Sequence, residues 1–213
     1  MTETRLRETI CDFARSLYDR GLAHGSTGNI SARTDDGGLL VTPTGSSFGR
    51  LDPARLSRFD QNGTLIGGDR PTKEMPLHAA FYDTRGTRSG AVVHLHSHHA
   101  VALSMLPETD HDDALPPYTP YSIMQLGRVK VLPYFQPGDP AMGEAVRELD
   151  GQRSAVILAN HGPVVTAATL ESAVYAMEEL EETARLAITL SNRSVNKLSA
   201  DQVRNLIKAF DID

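Results

Sequence analysis

The chain has 213 residues, 40% of them hydrophobic, and a formal net charge of −6 at pH 7. This length and apolar fraction predict a single α/β domain over residues 1–213 that buries a core without disulfides. The negative charge disfavours nonspecific binding to nucleic acid, which depends on cationic patches, and no segment approaches the roughly 18 apolar residues of a membrane span. The single cysteine, Cys11, and an N-terminus that lacks the apolar segment of a signal peptide predict a cytoplasmic protein.

The first half of the chain predicts a helix, short strands and a second helix. Leu6, Ile10 and Leu17 recur at helical spacing, and Gly21 is the expected end of the first helix. The segment Asp60-Gln61-Asn62-Gly63 predicts a hairpin between two short strands, because Asn-Gly accepts the positive φ angles of a tight turn. The other predicted elements are a helix at residues 4–20, strands at 30–33 and 39–42, and a helix from about 74 to 86.

The second half predicts a buried strand at residues 91–96 and then a helix, with Ser97 in position to cap it. Residues 110–138 are rich in proline and tyrosine and predict a loop with short strands. Further expected elements are a helix at 140–149, a strand at 155–159, a long helix at about 169–190 and a terminal helix at 199–210. An acidic run in the long helix predicts a solvated face, and its members are Glu178, Glu179, Glu181 and Glu182.

Three histidines predict a metal site. In an extended strand alternate side chains share a face, so His94 and His96 present two imidazoles side by side, and His161 ends a second apolar run. Three neutral imidazoles around a divalent ion leave a coordination position open, as in catalytic sites, and Glu74 is the best candidate to occupy or border it. The remaining histidines are interpreted as structural or as supporting the metal ligands from outside, and they are His24, His78, His98, His99 and His111.

Three short loops predict a phosphate pocket. They are rich in glycine, hydroxyl and amide groups, and their sequences are Thr27-Gly28-Asn29, Thr44-Gly45-Ser46 and Thr72-Lys73. Backbone N–H groups and hydroxyls in such loops can converge on an anion, and glycine lets the chain approach closely. Any one of these loops by itself would indicate only a turn.

Five short motifs run in order along nearly the whole chain: Gly28-Asn29-Ile30-Ser31-Ala32-Arg33, Thr42-Pro43-Thr44-Gly45, Thr72-Lys73-Glu74, Val93-His94-Leu95-His96 and Ala159-Asn160-His161-Gly162. In this order and at these intervals, they resemble the class II aldolase (aldolase/adducin head) family. That family includes fuculose-phosphate aldolase, ribulose-phosphate 4-epimerase and 3-oxo-tetronate 4-phosphate decarboxylase. The resemblance implies a three-layer α/β/α domain with a central mixed, largely antiparallel sheet, assembled as a homotetramer with sites at subunit contacts.

The resemblance also implies the roles of the site residues. One Zn²⁺, or another divalent cation, per subunit would be held by His94, His96 and His161. Glu74 would be the acid/base residue that also touches the metal when substrate is absent. Tyr121 lies where the aldolases carry an active-site tyrosine, and it is expected to donate a proton or contact the substrate. The substrate phosphate would be bound by Asn29, Thr44, Gly45, Thr72 and Lys73.

Within the family the chain is most similar to the decarboxylase branch. Its Pro71-Thr72-Lys73-Glu74 replaces the paired serines of the fuculose-phosphate aldolase pattern, and residues 119–122 and 134–139 also resemble the decarboxylases. The implied substrate is a small sugar-acid phosphate, 3-oxo-tetronate 4-phosphate. It would lose CO2 through a metal-stabilised enediolate to give dihydroxyacetone phosphate. Lys73 would pair with the phosphate or with the additional carboxylate of this substrate.

Other functions stay open at this point. The chain could be a sugar-phosphate aldolase or a ribulose-phosphate 4-epimerase of the same family, or a sensor that binds a sugar phosphate without turnover. The segment Gly45-Ser46-Ser47-Phe48-Gly49 matches the G-x-S-x-G pattern of a hydrolase nucleophile elbow. Arg50-Leu51-Asp52-Pro53 follows it, which does not open directly into the helix that such an elbow requires, so the pattern is weak evidence.

Overall fold

A computed structural model describes residues 1–210 and 212, and one eight-stranded sheet runs through it. The strand order is β4-β3-β2-β1-β5-β8-β7-β6. Every neighbouring pair is antiparallel except β6 and β7, which are parallel. The strands are β1 (Asn29–Arg33), β2 (Leu39–Val41), β3 (Ser57–Phe59), β4 (Leu65–Gly67), β5 (Ala91–His94), β6 (Lys130–Leu132), β7 (Ala155–Leu158) and β8 (Gly162–Ala167).

Seven α-helices accompany the sheet in the described part of the chain. They are α1 (Glu3–Asp19), α2 (Met75–Arg85), α3 (His98–Met105), α4 (Pro120–Leu126), α5 (Ala141–Arg147), α6 (Leu170–Leu190) and α7 (Ala200–Phe210). Three short 3₁₀ turns lie at Phe48–Arg50, Pro53–Arg55 and Gly86–Arg88. None of the helices formed by residues 1–210 is long and apolar enough to cross a bilayer.

The sheet is covered by helices on both faces. Val93 and Ile157 face a large apolar cluster that contains the buried sides of α1, α3 and α6. Their neighbours Val92 and Val156 face a second cluster, formed with α2 and α5. This alternation follows from the two-residue period of a strand buried on both faces. The predicted three-layer α/β/α architecture with a mixed, largely antiparallel sheet is confirmed.

Most predicted elements are present, with three differences. Residues 110–138 contain a helix, α4, which the sequence interpretation assigned to a loop; Thr119 caps it by accepting from the Ser122 N–H, and Pro120 occupies its first turn. Strand β8 was not predicted at all. The strand predicted at residues 91–96 ends at His94, although Leu95 N still donates to the carbonyl of Pro163 (3.1 Å).

The predicted cap of α3 is confirmed in position, but its side chain does not do the capping. Ser97 occupies the N-cap position, but its buried hydroxyl makes no hydrogen bond within the described residues. Instead, the Glu181 carboxylate of α6 accepts from the backbone N–H groups of His99 (2.8 Å) and Ala100 (3.0 Å). A carboxylate at this end of a helix satisfies free N–H donors and interacts favourably with the helix dipole.

The acidic run of α6 is therefore not simply a solvated face. Glu181 is largely buried, with 13% of its side chain exposed, and also accepts from His99 Nδ1 (2.8 Å). Glu178 pairs with Arg20 of the loop after α1. Glu179 accepts from the hydroxyl of Thr119, the residue that caps α4. These carboxylates tie α6 to the segments around it.

Candidate metal centre

The three predicted histidines meet where two strands end. His94 is the last residue of β5, and His96 lies two positions beyond it. His161 lies in the tight turn between β7 and β8, where Asn160 adopts a left-handed conformation (φ 59°) that asparagine tolerates better than most residues. Antiparallel pairing sets His94 opposite Val164 of β8 and so brings the turn beside the end of β5.

The rings converge with the spacing of metal ligands. The Nε2 atoms of His96 and His161 are 3.1 Å apart. Glu74 Oε1 lies 3.3 Å from Nε2 of His161, and Glu74 Oε2 lies 3.4 Å from Nε2 of His94. Zinc bonds of roughly 2.0–2.1 Å in a tetrahedron imply edges of about 3.3 Å. One ligand atom from each of the four residues lies within 4.8 Å of the others, so the cluster can hold a divalent ion.

The chemistry of the donor atoms also fits a metal. His94 Nδ1 lies 2.9 Å from the carbonyl of Pro163 and must donate to it, which leaves Nε2 unprotonated. That buried Nε2 has no hydrogen-bond partner among the described residues. Burial lowers the pKa of His94, and burial together with His94 and His161 lowers the pKa of His96 to about 3. Neutral imidazoles with free lone pairs are the form that binds a cation.

Glu74 is buried and ionised at neutral pH. Burial raises its pKa, but a hydrogen bond with His161, the electrostatic interaction with the neighbouring His94 ring and donation from Asn29 outweigh burial, so the pKa lies below its ordinary value. Partial burial alone would have produced the opposite shift. The resting carboxylate is therefore in its ionised form, and it must take up a proton before it can act as an acid.

A cleft of about 200 Å³ opens beside Glu74 and His96. All three predicted phosphate loops line it, through Thr27, Gly28, Asn29, Thr44, Gly45, Thr72 and Lys73, and the segment at Pro137 and Gly138 completes its wall. Gly28 lies so close to β5 that an added Cβ would come within 2.9 Å of the His94 carbonyl. A cavity of about 670 Å³ near Arg5 and Arg33 is larger but contains none of the clustered histidines.

Two phosphate candidates differ in their surroundings. Asn29 is buried and its side chain already has partners, because Nδ2 donates to Glu74 Oε2 (2.7 Å) and Oδ1 lies 2.5 Å from His78 Nε2. Lys73 is exposed, and its ammonium makes no ion pair within residues 1–210 and 212, although its Cβ and carbonyl lie beside Gly138. The Lys73 ammonium is therefore available to form an ion pair with an anion in the cleft.

Other predicted or excluded residues lie outside this cleft. Tyr121 is in the first turn of α4, is 59% exposed and does not line the cleft, so its proposed role stays a prediction. His98 begins α3 and stacks on His24, with ring centroids 5.4 Å apart. After Ser47 comes a three-residue 3₁₀ turn rather than an α-helix, which removes the structural context of a nucleophile elbow.

Sequence reasoning gave His78 a structural or supporting role and assigned no role to the side chains of Ser31 and Tyr82. All three prove to be linked to the site. His78 is fully buried, and its Nδ1 lies 2.7 Å from the hydroxyl of Ser31. That hydroxyl is also 2.7 Å from the Tyr82 hydroxyl. The spacing of Glu74, His78 and Tyr82 at intervals of four residues could have indicated this shared helix face.

Comparisons with known proteins agree with this geometry. Residues 8–188 match the model of the class II aldolase and adducin N-terminal domain. The chain is 45% identical over 205 residues to the 3-oxo-tetronate 4-phosphate decarboxylase of Pectobacterium atrosepticum, covering 96% of this chain and 94% of the relative. It is similar to the crystal structure of YgbL from Klebsiella pneumoniae, with a TM-score of 0.93, 47% identity, and coverage of 97% of this chain and 99% of that one. An L-fuculose phosphate aldolase of Methanococcus maripaludis is 36% identical over 84% of this chain and 93% of its own.

Proposed function

This chain belongs to the class II aldolase and adducin family, and we propose that it is a divalent-metal-dependent carboxy-lyase that converts 3-oxo-tetronate 4-phosphate to dihydroxyacetone phosphate and CO2. The observation that carries the proposal is the 45% identity to decarboxylases along nearly the full length of both chains. The relatives named as fuculose phosphate aldolases are less similar, at 31–36% identity. The cluster of three imidazoles and a carboxylate supplies the chemistry that such a reaction needs.

His94, His96 and His161 would hold the cation, with Glu74 beside it. When bound, the cation supplies a Lewis acid that withdraws electrons from the substrate ketone. Zinc is the proposed ion, because three imidazoles at these distances suit it well, although they also accept other divalent metals. The homotetramer and the cytoplasmic location implied by the resemblance belong to the same proposal.

Glu74 carries the proton in this proposal. Loss of CO2 breaks the bond between C1 and C2, and its electron pair passes toward the ketone. Carbon C2 must then gain one proton, which comes ultimately from solvent. Because Glu74 is ionised at rest, it takes up that proton first and delivers it to C2, which is general acid–base catalysis by a relay.

The cleft binds the rest of the substrate. Hydroxyl and backbone donors of Thr44, Gly45 and Thr72 are proposed to hold the phosphate. Lys73, an exposed cation on the same cleft, pairs with the phosphate or with the carboxylate that departs as CO2. Lys73→Ser tests this pairing: impaired turnover of the acid substrate supports it, and unchanged turnover excludes it.

The test is direct. Purified, metal-loaded protein is given 3-oxo-tetronate 4-phosphate, fuculose 1-phosphate and ribulose 5-phosphate in parallel, and the products are identified. We expect CO2 and dihydroxyacetone phosphate from the first substrate, a product that Glu74→Gln protein fails to make while it retains the metal. Glu182→Gln, on an exposed part of α6, is the matched control. Cleavage of fuculose 1-phosphate or epimerisation of ribulose 5-phosphate in place of decarboxylation would overturn the proposal. Ligand binding without turnover of any substrate would favour a sensor.

A further inference from the structure

We propose that His78, together with Ser31 and Tyr82, positions the catalytic carboxylate of Glu74 through Asn29. The four residues form one buried chain of hydrogen bonds that ends on Glu74 Oε2. The inference rests on the proposed function, because it assumes that Glu74 handles the proton. His78 contacts neither substrate nor metal in this scheme and is therefore a positioning residue.

The chain of hydrogen bonds follows from how two elements face each other. Glu74 precedes α2, and His78 and Tyr82 follow at intervals of one helical turn on the same face. On β1, Asn29 and Ser31 are two residues apart and so point to one side of the sheet. That side of the sheet carries α2, so Asn29 and Ser31 fit between the side chains of Glu74, His78 and Tyr82.

The direction of donation can be deduced bond by bond. The Asn29 amide nitrogen can only donate, and Glu74 Oε2 lies 2.7 Å from it and accepts, so Asn29 Oδ1 is left as an acceptor. His78 Nε2 must therefore carry the hydrogen that it donates to Asn29. His78 Nδ1 then lacks a hydrogen and accepts from Ser31, whose oxygen accepts from the hydroxyl of Tyr82. Every donor in the chain is directed toward Glu74.

Burial makes this arrangement specific. His78 is fully buried and Tyr82 is 6% exposed, and burial lowers the pKa of His78 to about 3, so the ring is neutral. If the Asn29 amide turned over, its oxygen would face the carboxylate and its nitrogen would face the N–H of His78, leaving like groups opposed in a buried site. The tautomer of His78 thereby fixes the amide of Asn29, and the amide fixes one oxygen of Glu74. The other oxygen stays beside His161.

The first experiment measures the tautomer in the metal-loaded wild-type protein. Histidine is labelled with ¹⁵N, the long-range ¹H–¹⁵N spectrum is recorded at neutral pH, and His78 is assigned as the signal lost in His78→Gln. We expect hydrogen on Nε2 and none on Nδ1. Hydrogen on Nδ1, or on both nitrogens, would overturn the inference. This measurement requires no substrate, so it decides the inference even if the protein fails to turn over 3-oxo-tetronate 4-phosphate and the proposed function falls.

The second experiment separates positioning from general stability through kinetics. His78→Leu removes both hydrogen bonds, and we expect kcat to fall about 10²-fold while KM changes less than about threefold, because a displaced carboxylate impairs the chemical step. His78→Gln restores an amide donor toward Asn29 and should recover about tenfold of that loss. Metal content should stay at the wild-type level in both proteins.

Tyr82→Phe removes the first donor of the chain, and we expect a threefold to tenfold fall in kcat. The exposed Tyr175, whose hydroxyl donates to Glu171, provides the matched control Tyr175→Phe, for which no change is expected. Equal kcat for His78→Leu and wild-type protein, or an equal loss in His78→Leu and His78→Gln, would overturn the inference. Should His78→Leu fail to fold, the comparison of His78→Gln and Tyr82→Phe with wild type, together with the tautomer, decides it.

Discussion

Removal of the Glu181 carboxylate should destabilise the protein more than removal of the Ser97 hydroxyl, although Ser97 occupies the N-cap position of α3. Glu181 accepts from two backbone N–H groups at the start of α3 and from the ring of His99. Loss of a cap costs about 1 kcal/mol, and buried donors without a partner add about 1–2 kcal/mol. We therefore expect Glu181→Ala to lower the free energy of unfolding by about 2–3 kcal/mol, or Tm by roughly 4–12 °C.

Urea titrations followed by circular dichroism measure this difference. Ser97→Ala removes a buried hydroxyl that makes no hydrogen bond among the described residues, so its free energy of unfolding should lie within about 0.5 kcal/mol of wild type. Glu182→Ala is the control for charge, because Glu182 is half-exposed and pairs with Arg185 on its own helix. A larger loss from Ser97→Ala than from Glu181→Ala would refute the assignment of the cap.

The Glu181→Ala substitution should also weaken metal binding. Helix α3 begins at His98, two positions after His96, so fraying of its first turn loosens one ligand. We expect Glu181→Ala to bind Zn²⁺ several-fold more weakly in competition with a chromophoric chelator, while Glu182→Ala binds it as wild type does. Equal affinity in all three proteins would show that α3 does not support the site.

Four further outcomes follow from the structure. Chelation should abolish turnover and leave the far-ultraviolet circular dichroism of the fold unchanged, and added Zn²⁺ should restore activity; loss of the fold on chelation would contradict this. Gly28→Ala should lower the free energy of unfolding by about 2–3 kcal/mol and weaken metal binding, because φ of Gly28 is +82° and the new Cβ would press on the His94 carbonyl. The control Gly25→Ala, whose new Cβ would meet no atom within 4 Å, should lower it by about 1 kcal/mol. Burial raises the pKa of Cys11 to about 11, so iodoacetamide should modify it about tenfold or more slowly in folded than in unfolded protein. The pKa of His78 falls from 6.5 to about 3 on folding, so between these pH values the unfolded state binds one more proton than the folded state. The free energy of unfolding of the metal-free protein should therefore fall as the pH drops through this range, and it should fall more steeply in wild type than in His78→Gln.

The sequence was informative where a local pattern and a burial pattern agreed. The helices α1, α2 and α6 follow their apolar periodicity, and the Asn62-Gly63 turn joins β3 and β4 as predicted, with Gly63 at φ 77°. The metal cluster was predictable for a similar reason. His94 and His96 lie at alternate positions, which is a pattern visible in the local sequence. His161 follows a second apolar run, and one pairing of neighbouring strands is enough to bring it beside them.

The elements that the sequence analysis missed were obscured by neighbouring patterns or depended on contacts between distant residues. Helix α4 has only seven residues, and the surrounding prolines obscured the Thr119-Pro120 start that is typical of a helix N-terminus. Strand β8 follows β7 after three residues, so its apolar run merged with its neighbour in the sequence pattern. The capping of α3 by Glu181 could not be predicted locally, because 82 positions separate Glu181 from His99.

The roles of individual site residues depend on contacts in the folded structure that the sequence pattern does not give. Lys73 and the loops around it were identified correctly as neighbours of a common cleft. Asn29 lines the cleft, so its predicted role in phosphate binding stays a prediction, and the contacts of its side chain with Glu74 and His78 could not be foreseen from the sequence. The ionised state of Glu74 was also beyond sequence, because burial and hydrogen bonding shift its pKa in opposite directions and only their geometry decides which is larger.

Two imidazoles separated by 65 positions, His96 and His161, come within reach of one another only after β5 and β8 have paired. The site therefore depends on a sheet pairing that the described residues form through their own hydrogen bonds, and we expect this pairing to persist without the ion. Small zinc domains behave differently, since they unfold without their metal. We therefore expect protein deprived of the proposed divalent ion to remain folded but inactive, and to regain activity when the ion is returned.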